Sequence, residues 1–227
     1  MSGTLALVGG GEWTDGCAFD AALLAASGTS EVLVLPTAAA MEQPDKAVAS
    51  ATSWFESLGG TVRGLHVLQR HDALEPENVE AVRSAKFVYL SGGSPLHLRS
   101  VLKGTPLWDA LVEAFAGGAV VAGSSAGAMV LCDPMVDPRG GAFTVGLGLI
   151  GNLAVLPHAE SDVYAHHKRT FELADAGLVL AAIPERSALF LGSDGLWSSA
   201  GDDEVTVWVD GEQRGFDALP AVPPTAP

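Results

Sequence analysis

Hydrophobic positions in this chain form short, nearly continuous apolar runs, separated by longer segments with helical spacing. The runs are rich in Val and Leu and do not alternate with polar residues, which predicts strands covered on both faces. In the first half of the chain these runs are 4–10, 31–37, 62–68, 86–93 and 119–125. Helical segments with Pro or Gly at their ends lie between several of them, at 43–60, 94–103 and 105–118. This alternation predicts an α/β fold with a doubly wound, mainly parallel sheet and helices on both faces.

The pattern changes after residue 150. Residues 152–158 predict another strand and 164–175 a helix. Closely spaced apolar runs with turn signals follow, and they predict strands that pair antiparallel at one edge, at 178–183, 187–192 and 204–211. We expect residues 1–212 to form a single domain and the Pro- and Ala-rich residues 213–227 to form a disordered tail.

Composition and charge limit the classes of partner and the compartment that we expect for this chain. The chain has 227 residues, of which 48% are hydrophobic, and a formal net charge of −15. Such a charge repels nucleic-acid phosphates and anionic lipids, so neither nucleic acid nor a membrane surface is an expected partner. No apolar run approaches the roughly 18 residues of a spanning helix, and the first residues lack a signal-peptide pattern, so the cytoplasm is the expected compartment. Two distant cysteines form no zinc motif, and we expect neither metal nor cofactor.

The strongest chemical signal is the turn after the run at 119–125, where 123–127 (GSSAG) fits G-x-S-x-G. A serine at the apex of a strand-to-helix turn has a strained backbone that exposes its hydroxyl, which makes Ser125 the candidate nucleophile. The N–H of Ala126, at the start of the following helix, would face the developing oxyanion. A close-packed helix start capped by serine would give the same pentapeptide. The pentapeptide alone therefore does not distinguish a catalytic turn from a structural one, and other residues of a catalytic site have to be found.

A serine nucleophile needs a base and an orienting carboxylate. His158 follows a predicted strand, at the sheet edge where α/β enzymes bind ligands, and is the histidine placed to meet Ser125. Asp137 is the first choice for the acid, with Asp133 and Glu160 as alternatives, although Asp-Pro pairs are also ordinary turn residues.

Glycines at other strand ends could complete such a site. The fourth predicted strand ends in Gly92 and Gly93 before a capped helix, and this turn is a candidate second oxyanion donor. The glycines of 8–13 (VGGGEW) lack both the Walker and the GxGxxG spacing, so we interpret them as an active-site wall.

Together these motifs resemble peptidase family S51, the group of dipeptidase E and cyanophycinase. The resemblance covers roughly residues 4–212, and the motifs that carry it are LVGGGE, VLPTAA, LSGGSPLHL, AGSSAGAMVL, GLGLI, LPH, IPERSALFL and VTVWVDG. It implies a class I glutamine-amidotransferase-like fold with a Ser-His-acid triad. In this chain Ser125 and His158 match the family's nucleophile and histidine. Gly93 and Ala126 match its oxyanion donors.

The family's acid and substrate pocket carry over less directly. The resemblance implies an Asp in the loop after the elbow or a Glu further along, and Asp137 is the residue carried over. Arg169 resembles an arginine on the helix after the family histidine and would pair with the carboxylate of an acidic P1 residue, although a solvated helix arginine looks the same. Gly92, His97 and Glu185 occupy motif positions that would line the substrate pocket.

The sequence therefore predicts a serine peptidase for small peptides, with Asp-X dipeptides or isopeptides as candidate substrates and an acyl-enzyme at Ser125. We expect the chain to work as a monomer or a homodimer. A catalytically silent binding or regulatory module of the same fold stays open, as does an α/β-hydrolase esterase. A glutaminase-type amidotransferase subunit would need a cysteine at the elbow, so Ser125 argues against that class.

Overall fold

The computed structural model describes residues 3–221. Its strands, in chain order, are β1 (Leu5–Val8), β2 (Glu31–Leu35), β3 (Thr61–Gly64), β4 (Phe87–Leu90), β5 (Val120–Ser124), β6 (Cys132–Asp133), β7 (Met135–Val136), β8 (Phe143–Thr144), β9 (Ile150–Gly151), β10 (Leu153–Pro157), β11 (Val179–Ile183), β12 (Ser187–Leu191), β13 (Trp197–Gly201), β14 (Thr206–Val209) and β15 (Glu212–Arg214). Its α-helices are α1 (Phe19–Ser27), α2 (Pro44–Ser57), α3 (Pro76–Ser84), α4 (Pro95–Leu102), α5 (Pro106–Ala116), α6 (Ala126–Leu131), α7 (Val163–His166) and α8 (Lys168–Leu173). Single turns of 3₁₀ helix cover Thr37–Ala39, Asp72–Leu74 and Phe216–Ala218.

The main sheet has the strand order β13-β12-β1-β5-β4-β2-β3. The run from β1 to β3 is parallel throughout, while β12 pairs antiparallel with β1, and β13 pairs antiparallel with β12. The predicted α/β class with a mainly parallel sheet is therefore confirmed. All carboxyl ends of the parallel strands meet at one edge, where ligands bind in folds of this kind.

Both faces of the main sheet are covered, which explains the continuous apolar runs. Leu7 of β1 belongs to the same buried cluster as Leu111 of α5, whereas the next residue, Val8, belongs to the cluster of Phe55 in α2. Successive side chains point to opposite faces of a strand, so each must be apolar when helices cover both.

A second, four-stranded sheet of order β10-β11-β14-β15 was not predicted. Its β10 and β11 are parallel, and β14 and β15 add antiparallel. The predicted antiparallel edge strands near the C-terminus are confirmed by β12 and β13 in the main sheet, but the runs 178–183, 187–192 and 204–211 do not share one edge as expected. β12 joins the main sheet beside β1, while β11 and β14 form part of the second sheet. Turn spacing predicts strands well, but it does not decide which partner each strand finds.

Two predicted boundaries also differ from the structure. The helix expected at 164–175 is divided at His167 into α7 and α8. The chain also stays ordered past the predicted domain end at 212, because β15 runs to Arg214, Leu219 is buried, and the carbonyl of Pro220 accepts a hydrogen bond from Trp197 Nε1. The disordered tail is thus not seen for 213–221, and residues 222–227 lie outside the described part. No helix within 3–221 is long and apolar enough to cross a membrane.

Candidate active site

Ser125 forms a strained turn between β5 and α6. Its backbone angles are φ 48° and ψ −107°, a conformation that a residue with a side chain rarely adopts. The Ser125 N–H donates to the carbonyl of Val8 (2.9 Å), and its own carbonyl accepts from Met129 N (3.0 Å), so hydrogen bonds hold the strained residue on both sides. Ser125 is half-buried, whereas the preceding Ser124 is fully buried. The turn therefore offers the hydroxyl of Ser125 and keeps that of Ser124 inside.

The glycines of the pentapeptide are required by packing. A Cβ on Gly123 would lie 2.5 Å from the carbonyl carbon of Gly127. A Cβ on Gly127 would lie 2.4 Å from the carbonyl oxygen of Leu90 in β4. Neither position has room for a side chain, because the first turn of α6 packs directly against the backbone of β5 and β4. This close approach brings the start of the helix beside the nucleophile.

Three side chains form a continuous hydrogen-bonded series. Ser125 Oγ lies 2.8 Å from His158 Nε2, and His158 Nδ1 lies 2.9 Å from Glu185 Oε1. An ionised carboxylate only accepts hydrogen bonds, so the proton of the neutral imidazole is placed on Nδ1. The lone pair of Nε2 then faces the serine hydroxyl, as general-base activation of a serine requires.

A glycine loop after β1 holds the histidine and the segment after the glutamate. The His158 N–H donates to the carbonyl of Gly9 (2.8 Å), and the Arg186 N–H donates to the carbonyl of Gly10 (2.8 Å). A Cβ on Gly10 would lie 2.3 Å from Cε1 of His158, so the imidazole occupies the space that this glycine leaves. The loop predicted to be a wall of the site therefore holds the backbone of His158 and of the residue that follows Glu185.

None of the three carboxylates considered as the acid from the sequence contacts His158. Asp137 is bound by Arg139 at 2.6 and 2.9 Å, and these hydrogen bonds lower the pKa of the Asp137 carboxyl to about 2. Asp133 accepts a hydrogen bond from the N–H of Gly146, and Glu160 lies 3.4 Å from His166. The assignment of Asp137 as the partner of the histidine is corrected accordingly.

Glu185, predicted to line the substrate pocket, is the carboxylate that reaches the histidine. β10 and β11 are neighbouring parallel strands in which Pro157 pairs with Ile183, so His158 and Glu185 both follow carboxyl ends at the same sheet edge. Glu185 lies 27 positions after His158 in the chain, so proximity in sequence does not identify it as the acid. Its place directly after a buried apolar run was the signal that pointed to it.

In the loop after β4, one N–H has no acceptor among the residues that the structure describes. Three of the four consecutive amides from 91 to 94 donate to fixed acceptors: Ser91 to Leu35 O (3.2 Å), Gly92 to Glu12 Oε1 (2.9 Å) and Ser94 to Ala38 O (2.8 Å). The fourth, Gly93, has no acceptor within residues 3–221. Its φ of 133° and its distance to Ala38, whose carbonyl oxygen would lie 2.4 Å from an added Cβ, both require glycine. The N–H of Ala126, the first residue of α6, also lacks a partner in that range.

A cavity of about 460 Å³ opens beside Ser125 and His158. Its lining includes two arginines, of which Arg139 is paired with Asp137. Arg169 also lines this cavity and forms no ion pair with a carboxylate among the described residues.

Of the other residues predicted to line the substrate pocket, Gly92 borders a space beside Ser125 and His97 does not. A second space, a groove of about 830 Å³, also borders Ser125, and Gly92, Glu12 and Trp13 help to line it. The expectation that His97 lines the pocket is wrong, because its Nε2 lies 2.9 Å from the carbonyl of Leu68 and it borders neither space.

Comparisons with known proteins identify the family of this chain. Cyanophycinases from Nostoc sp. and Synechococcus elongatus are 28% and 27% identical over 146 and 168 residues, which is 62% and 71% of this chain. The chain spans about half the length of these curated relatives, 48% and 50%. The crystal structure of a peptidase from an acI-B1 Actinobacterium is 32% identical, with a TM-score of 0.82 over 94% of this chain and 93% of that one. The model of peptidase family S51 matches residues 5–196, and this chain therefore belongs to that family.

Proposed function

We propose that the chain is a serine peptidase that hydrolyses small peptides through an acyl-enzyme at Ser125. The observation that carries the proposal is the series Ser125–His158–Glu185, with both hydrogen bonds under 3 Å. The similar acI-B1 protein is described as a peptidase, and the curated relatives are cyanophycinases.

In this mechanism Ser125 Oγ attacks the scissile carbonyl and passes its proton to His158 Nε2. Glu185 keeps the imidazole oriented and stabilises the imidazolium that forms. The N–H groups of Gly93 and Ala126 bind the oxyanion, and each such donor typically contributes about a hundred- to a thousand-fold in rate. His158 then protonates the leaving amine, and a water molecule that it activates hydrolyses the acyl-enzyme by the same steps.

The cavity favours an acidic residue on the acyl side of the bond. Arg169 lines it without a carboxylate partner among residues 3–221, and a guanidinium binds a substrate carboxylate through two parallel hydrogen bonds. We therefore propose Asp-X dipeptides or isopeptides as the substrate class.

A fluorophosphonate probe, which labels activated serines, tests the nucleophile. We expect covalent modification of Ser125, located by peptide mapping and absent in Ser125→Ala, with hydrolysis of Asp-X dipeptides lost in the same variant. Failure to label across a range of pH would favour a catalytically silent module of this fold. Labelling with cleavage of p-nitrophenyl esters but of no peptide would favour an esterase.

A further inference from the structure

Glu12 links the two backbone segments that meet at the nucleophile. It follows the glycine loop after β1 and is half-buried. Its Oε1 accepts a hydrogen bond from the N–H of Gly92 at 2.9 Å, and its Oε2 accepts one from the hydroxyl of Ser124 at 2.7 Å. The two partners lie 80 and 112 positions away in the chain, so the bridge exists only in the folded protein.

We propose that Glu12 is a positioning residue, whose carboxylate fixes the loop of Gly92 and Gly93 to the end of the strand that carries Ser125 and so aims the Gly93 N–H at the oxyanion. This inference rests on the proposed function. Glu12 itself touches no reacting atom in this mechanism.

The hydrogen bonds of the loop support this role. Glu12 fixes the amide before Gly93, and the carbonyl of Ala38 fixes the amide after it. With both neighbours held, the peptide group between Gly92 and Gly93 has little freedom to rotate, so its N–H, which has no acceptor among residues 3–221, keeps a fixed direction. Hydrogen bonds to an ionised carboxylate are stronger than those between neutral groups, which suits a donor that must stay preorganised.

The carboxylate of Glu12 lies beside Gly92 and close to the nucleophile, because Gly92 has no side chain. A Cβ on Gly92 would lie 3.0 Å from Glu12 Oε1 and 3.6 Å from Ser125 Cβ. Without a side chain there, Glu12 can reach the backbone of the loop from the same side as Ser125. Its other oxygen reaches the buried hydroxyl of Ser124, the residue directly before the nucleophile, so loop and nucleophile share one anchor.

The side chain of Gln would preserve this bridge without the charge. Its amide oxygen can accept from Gly92, and its NH₂ can donate to Ser124 Oγ, because a hydroxyl both donates and accepts. Ala would remove the bridge altogether. The series Glu12→Ala, Glu12→Gln and Ser124→Ala therefore separates geometry from charge.

Steady-state kinetics on an Asp-X dipeptide test the proposal. We expect Glu12→Ala to lower kcat about 10- to 100-fold with KM within about threefold, since the loss falls on transition-state stabilisation. Glu12→Gln should recover most of kcat, and Ser124→Ala should lower it about 3- to 10-fold, since it removes one of the two contacts. An unchanged kcat in Glu12→Ala, or a rise in KM alone, would overturn the proposal.

Asp72→Ala is the matched control. The Asp72 carboxylate accepts hydrogen bonds from the backbone N–H groups of Leu68 and Gln69 in another loop, at 2.9 and 2.8 Å. If kcat falls as far in Asp72→Ala as in Glu12→Ala, general loosening of loops explains the effect and the specific role is rejected. If Glu12→Ala does not fold, Glu12→Gln and Ser124→Ala decide: kcat recovered in the first and lowered in the second supports the bridge, and an unchanged kcat in Ser124→Ala overturns it.

Amide hydrogen exchange at Gly92 gives a readout that does not depend on activity. Loss of its acceptor should speed exchange at Gly92 about tenfold or more in Glu12→Ala, while Ser94, bonded to Ala38, changes little. Unchanged exchange at Gly92 would refute the bridge even in an inactive protein. Absence of fluorophosphonate labelling at Ser125 in the unmodified chain would instead reject the proposed function, so the two failures are distinguishable.

Discussion

Glu185 and His158 follow the carboxyl ends of two neighbouring parallel strands, and their side chains meet at 2.9 Å between Oε1 and Nδ1. The pair is half-exposed, so its strength depends on geometry more than on burial. Register fixes that geometry, because Pro157 of β10 lies opposite Ile183 of β11. The second sheet therefore supplies two of the three residues in the proposed triad, and the main sheet supplies the serine.

Replacement of Glu185 tests the acid. Gln at this position can donate a hydrogen bond and so favours the wrong imidazole tautomer, which should lower kcat about 10²- to 10⁴-fold. Asp137→Asn is the matched comparison: its carboxylate serves Arg139, so kcat should stay within about tenfold of the unmodified chain. A larger loss in the Asp137 variant than in Glu185→Gln would contradict the assignment.

Arg169→Ala tests the substrate preference. Loss of a charged hydrogen-bonding partner in the cavity should lower kcat/KM for Asp-X dipeptides about 10- to 100-fold, while peptides with a neutral first residue change little. Lys168→Ala removes the adjacent positive charge, which lies 3.7 Å from Glu172 and outside the cavity, and should leave the preference intact. Equal effects of the two variants on all peptides would show that the arginine does not select the substrate.

Gly10→Ala tests the support of the histidine. Its new methyl group would meet the imidazole of His158, so the ring must move and kcat should fall about tenfold or more. Gly59→Ala is the control, because Gly59 also has a positive φ, 81°, but no atom of the described residues lies within 4 Å of an added Cβ. Both substitutions introduce backbone strain, and urea unfolding measures the loss of stability that this strain causes. Only Gly10→Ala should lose more activity than its loss of stability explains.

Buried Asp20 predicts a pH dependence of stability. Burial is the main cause that raises its pKa from 3.8 to about 7; the charge of Glu12 adds to the rise, and the hydrogen bond from Trp54 opposes it. Between these two values the folded state keeps a proton that the unfolded state releases. The free energy of unfolding should therefore fall as pH rises from about 4 to 7, by up to about 1.4 kcal/mol per pH unit from this group.

Urea unfolding of Asp20→Asn at several pH values checks this expectation. The variant should show a flatter dependence in that window. Asp137→Asn should keep the original slope there, because the pKa of Asp137 is lowered to about 2 and its linkage falls below pH 4. A slope unaltered by Asp20→Asn would show that the carboxyl is not the source.

The local sequence determined which segments become strands, helices and turns. Continuous apolar runs required strands covered on both faces, and the spacing of Gly123, Ser125 and Gly127 required a strand-to-helix turn of very close approach. These are consequences of side-chain size and backbone conformation, which act within a few residues. For the same reason the sequence located Ser125 and His158, since each directly follows an apolar strand.

Tertiary structure alone decided which distant residues meet. Strand pairing sent β11 to the second sheet and β12 to the first, and that choice brought Glu185 to His158 while Arg139 took Asp137. It also joined Glu12 to two segments far along the chain. Such contacts depend on strand register and on the packing of whole sheets. The free energies that select one register and one packing are summed over many residues, so no short stretch of sequence predicts these contacts.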